Sequence, residues 1–221
     1  METVDQARAT ILNELISDDS EVRAEYLKHF EADAKAFADY MAHAFVRWRS
    51  FDDGVKGDER LAHVSALVYT AITLHTLSLK LFLSGHTVAS GNLFRQVIEC
   101  IALALLCSSK DLDVLARFME NKYSSTVAVR DVLRHCEKLS LKGDALEALR
   151  NSQEFYHKYS HITKITLATG MSFSKEGGLY VGASFDDGKI DAYTKEIGGR
   201  VSLAKVFLNF IEGVAANVAK W

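Results

Sequence analysis

The chain contains no proline among its 221 residues. Nothing of that kind interrupts a backbone hydrogen-bond ladder, so long unbroken helices are expected. Cysteine is scarce as well: Cys100, Cys107 and Cys136 are an odd set without C-x-x-C spacing, which argues against a disulfide framework or a zinc ribbon. Cys100 and Cys107 lie seven apart in an apolar run and read as small buried hydrophobes. Charge of one sign is lacking too, with a formal net of −3, so no global basic field points to nucleic acid or an anionic membrane. The patterns G-x-G-x-x-G, Walker A and G-x-S-x-G are absent, and no cofactor is expected. The N-terminus METVDQARAT lacks the basic start and apolar stretch of a secretory signal, which points to a cytoplasmic protein. Val64 to Leu79 carries no Asp, Glu, Lys or Arg, but Ser65, Thr70, Thr73, His75, Thr76 and Ser78 interrupt it. That reads as a core helix with no membrane partner.

What is present, 48% hydrophobic and 25% charged residues, is the composition of a globular chain long enough to bury a core. The expected fold is mainly α, a helical bundle with a small β-hairpin or meander at about 171–195 inserted before the C-terminal helix. The chain reads as a single helical domain spanning 1–221. Thr3 with Gln6 forms a capping-box pattern before a first short helix. A long amphipathic helix follows to about Arg49, with Tyr26, Phe30, Phe37, Met41, Phe45 and Trp48 at helical spacing, and completes the N-terminal helices of 1–50.

The core bundle is expected over 58–163. Helices at about 58–83 and 87–107 form its centre, two shorter ones at 110–122 and 124–140 follow, and another runs from 145 to 163. After Thr169-Gly170 the period changes. MSFSK, LYVGASF and KIDAYTK are β-prone, and Asp187-Gly188 between two of them is a hairpin signal. Gly198-Gly199 then leads into a last helix at 200–220.

Two constellations carry chemistry. Arg95 and Glu99 lie one turn apart in an otherwise apolar helix, either as a structural ion pair or as an anion or substrate contact. Farther on, Arg150, Glu154, His157 and His161 fall within about a 60° sector of one helix, with Tyr156 and Tyr159 on the other side. A guanidinium there can hold a phosphate, and an imidazole that titrates near neutrality can move a proton. The same face also reads as a solvated surface in which Arg150 and Glu154 make an ordinary i,i+4 pair. His157 and His161 have metal-ligand spacing, but Lys158 stands where H-E-x-x-H has its Glu, and no metal is expected.

Arg150-Asn151 followed by His157 resembles the R-x(4–6)-H motif of the HEPN superfamily, small helical bundles of bacterial defence and toxin–antitoxin systems. The resemblance implies a metal-independent endoribonuclease, acting as a homodimer, in which the 2′-hydroxyl of RNA attacks the adjacent phosphate. It implies that Arg150 holds the phosphate, His157 serves as general acid or base and Asn151 positions one of them. Arg95, Glu99, Glu154 and His161 match no required motif position and are expected to contact substrate. The competing expectation is a non-catalytic helical module for dimerisation or protein interaction.

Overall fold

A computed structural model describes residues 3–139, 141, 143–156, 159 and 162–221. It contains nine helices and no strand among the described residues. They are α1 (Val4–Ile16), α2 (Ser20–Asp52), α3 (Glu59–Leu83), α4 (Thr87–Cys107), α5 (Val114–Met119), α6 (Ala128–Arg134), α7 (Gly143–Tyr156), α8 (Lys164–Thr169) and α9 (Ile190–Val218).

The starts of these helices follow from short polar signals. Thr3 and Gln6 close a reciprocal capping box on α1, and the Asp58 side chain accepts from the Leu61 N–H to begin α3. Between α3 and α4 the chain reverses at Gly85, whose φ of +83° and approach to the Ser184 backbone, 2.6 Å from where a Cβ would sit, both require glycine.

α3 and α4 make the most extensive helix pair, α2 lies along α9 and α3, and α7 bridges α4 and α9. By length and composition, α3, α4 and the segment Asp187–Val218 are each apolar enough to cross a membrane; here they supply much of the core. The centre of the molecule is α4, where Phe94, Val97, Ile98, Ala102, Leu105 and Leu106 are all buried.

The hairpin expected at 171–195 is not formed. A single antiparallel bridge joins Met171 to Leu179, and residues from Ile190 onward belong to α9. The cause is Asp186, whose carboxylate accepts N–H bonds from Phe173 (2.6 Å), Ser174 (3.1 Å) and Gly188 (3.0 Å). It gathers the loop around itself and caps the 3-10 turn that leads into α9. Asp187-Gly188 is thus a helix entry rather than a hairpin turn, and Ile190, Tyr193 and Ile197 keep helical register. The last helix consequently starts ten residues earlier than 200, with Gly198 and Gly199 inside it. Of the helix expected at 145–163, α7 covers 145–156, and α8 begins at Lys164, beyond its expected end.

α1 contrasts with the rest. It buries no residue, and Ile11, Leu12, Leu15 and Ile16 are all exposed.

Candidate functional site

α4 presents Arg95 and Glu99 one turn apart on the edge of its buried face, and Arg95 Nε donates to Glu99 Oε1 at 2.8 Å. The second carboxylate oxygen accepts from Ser125 Oγ at 3.3 Å. The pair forms the floor of a 210 Å³ recess walled by Thr126 and Val129 on one side and by Gln153 of α7 on the other. Both ions are partly accessible, with side-chain exposures of 30% and 16%. A guanidinium has five N–H donors. Only Arg95 Nε–H is engaged among the described residues, so the other four are free to hold an incoming anion.

Gln153 links this recess to the second constellation. On α7, Leu149 and Tyr156 face inward, while Arg150, Asn151 and Glu154 are exposed. Gln153 lies about 60° around the helix from Arg150, at the edge of that exposed face. Arg150 and Glu154 make no ion pair, so the ordinary i,i+4 pair is not realised here. His157 and His161 lie outside the described residues. The structure therefore brings Arg95, Glu99 and Gln153 to one recess and sets Arg150, Asn151 and Glu154 on the adjoining surface.

Behind α7 is a polar centre that the sequence pattern did not reveal. Arg200 of α9 is fully buried, and its guanidinium donates to Glu196 Oε2 (2.7 Å), Ser90 Oγ (2.5 Å), Ser78 Oγ (3.1 Å) and Tyr156 Oη (3.3 Å). The Phe82, Phe94 and Tyr156 rings lie 5.0–5.5 Å from its central carbon, adding cation–π attraction. Burial works against this charge, but Tyr156 and Glu196 outweigh it and hold the guanidinium protonated. Tyr156 and Tyr159 both donate to the Glu196 carboxylate. Burial is the main cause that pushes both phenols up. The available signal was Glu196 and Arg200 at i,i+4 on the same stripe as Tyr193, Ile197 and Phe207. A helix begun at 200 leaves Glu196 out of that stripe.

His75 is fully buried, ringed by Phe37, Phe94 and Phe207, with Nε2 bonded to the Arg200 carbonyl at 3.1 Å. Burial first, and the Arg200 charge second, lower its pKa to about 3. It is a neutral interior ring and does not reach the Arg95 recess. Burial also pushes the Cys100 and Cys107 thiols up to about 12, which leaves them unreactive.

Among the described residues, one trio has metal-ligand chemistry. Glu14, Asp19 and His86 bring their ligand atoms within 4.8 Å of one another. Their own contacts already account for the arrangement, with His86 Nε2 2.9 Å from Asp19 Oδ2 and Glu14 Oε1 accepting from the Ala183 N–H at 2.9 Å.

Comparison with protein-family models, with curated proteins and with solved structures finds no match.

Proposed function

We propose that this chain is a HEPN-like helical protein that acts on RNA in the cytoplasm as a homodimer, as a metal-independent endoribonuclease of a bacterial defence or toxin–antitoxin type. The observation that carries the reading is the Arg95 recess, which holds a guanidinium with four donors free among the described residues and is walled by Gln153, beside the exposed Arg150 and Asn151. Two accessible arginines near one helix suit a phosphodiester backbone, since guanidinium forks match phosphate oxygens. In this reading Arg95 grips one phosphate and Arg150 holds the scissile one. Asn151 orients the reacting groups, and His157 takes the proton of the attacking 2′-hydroxyl or protonates the leaving 5′-oxygen. Glu99 fixes Arg95 in place, and Glu154 and His161 flank the strand.

The test is cleavage of a labelled single-stranded RNA in EDTA by the wild type beside His157→Ala, Arg150→Ala and Arg95→Ala. The expected result is a product ending in a cyclic phosphate, with His157→Ala slowed by about 100-fold or more. Absence of cleavage, or cleavage indifferent to His157→Ala, overturns the catalytic reading.

The exposed apolar residues of α1 favour a second reading, a non-catalytic dimerisation or protein-interaction module. A dimer by light scattering that dissociates on Leu12→Glu, together with no effect on RNA, is the outcome that selects it.

A further inference from the structure

We propose that a pocket between α8 and the start of α9 binds a small apolar carboxylate, paired through its carboxyl group to Lys189. The pocket has a volume of 170 Å³ and is walled by Ile165, Ala168, Phe173 and Tyr193, with Lys189 and Glu196 at its polar margins. A cavity of about 150 Å³ accommodates benzene, so the space suits a benzoate or a carboxylate of about six carbons.

The charge balance of the pocket calls for an anion. Glu196 is already neutralised by Arg200 and two tyrosines. Lys189 is not. It is only 8% exposed, yet its ammonium makes one hydrogen bond among the described residues, from Nζ to the Thr169 carbonyl at 2.9 Å, and has no ion-pair partner there. Its other surroundings are the faces of Phe173 and Tyr180, at 5.5 and 5.2 Å from the ring centroids. An ammonium has three donors, and a buried one is costly unless paired. Burial accordingly lowers the Lys189 pKa, an effect opposed only by the field of Asp186, which is itself saturated by backbone N–H groups. Lys189 also occupies the N-cap of α9, the helix end at which the dipole favours negative charge. A carboxylate here would complete the lysine's hydrogen bonds while its hydrocarbon part fills the apolar walls.

The experiment is calorimetric titration of the full chain with sodium benzoate and sodium hexanoate, and with benzamide and hexanamide as uncharged counterparts. At least one acid is expected to bind, about tenfold or more tighter than its amide. Lys189→Met should remove that preference. Ala192 is exposed at the rim of the pocket, so Ala192→Trp should block entry without disturbing the core and abolish binding of the acid; this variant decides the matter if Lys189→Met does not fold. The proposal is overturned if neither acid binds, if acid and amide bind alike, or if folded Ala192→Trp binds the acids unchanged.

Discussion

Arg200 and Glu196 meet at 2.7 Å one turn apart on α9, both almost wholly removed from solvent, and the guanidinium also reaches Ser78 on α3, Ser90 on α4 and Tyr156 on α7. One side chain thus fastens four helices. Its separation from the surface distinguishes it from Arg95, which is held by one carboxylate and opens to a recess.

That contrast gives the first prediction. Arg200→Leu leaves the Glu196 carboxylate in the core without its counter-ion, bonded only by the Tyr156 and Tyr159 hydroxyls, and should cost about 3–5 kcal/mol. Urea denaturation measures it. The double variant Arg200→Leu, Glu196→Gln should lose less than the sum of the single losses, because the lone buried carboxylate is then gone.

Arg95→Ala should change stability by no more than about 1 kcal/mol, since the pair it breaks is partly solvated. On the proposed function it should nevertheless weaken binding of single-stranded RNA and flatten its salt dependence. Fluorescence anisotropy at several salt concentrations tests both, and unchanged affinity removes Arg95 from the RNA path.

His75 makes stability depend on pH in a definite direction. Its folded pKa, about 3, is below the ordinary histidine value, so its contribution is complete above about pH 6.5. As pH falls below that, the unfolded chain takes up a proton that the folded chain refuses, and stability declines by about 1.4 kcal/mol per pH unit from this group. Denaturation curves from pH 7 to 4.5 should show the decline in the wild type and a shallower one in His75→Leu.

Asp186 works at lower pH. Burial raises its pKa, but the N–H donors of Phe173, Ser174 and Gly188 outweigh burial and hold it at about 2. Its stabilising effect is therefore present above about pH 4 and lost as pH falls toward 2. Asp186→Asn should be less stable at neutral pH by about 1–3 kcal/mol and lack that part of the acid transition. Thermal melts at pH 7 and 3 separate the two chains.

Much of the helical frame was legible because its punctuation is local. Asp58 and Gly85 bound α3 within a residue of the expected 58–83, and α4 coincides with 87–107. The misreading at 171–195 arose because Asp-Gly serves hairpins and helix entries equally, and the distant Phe173 and Ser174 N–H groups decide between them. Arg95 and Glu99 stood out as charges in an apolar helix. Their recess depends on how α6 and α7 settle over α4, which no local spacing encodes. The Arg200 centre was hidden by Gly198-Gly199, which resembles a breaker but sits within α9, with Gly199 close to the Tyr156 hydroxyl.

Gly91 of α4 lies directly beneath the ring of Tyr159. A methyl group at position 91 would come within 2.6 Å of the ring carbon Cγ. A side chain there would force the Tyr159 ring to move, and with it the hydroxyl that bonds Glu196. Positions 91 and 159 are therefore sterically complementary, a bare backbone under a large ring, whereas Glu196 keeps Arg200 and Tyr156 whatever the ring does.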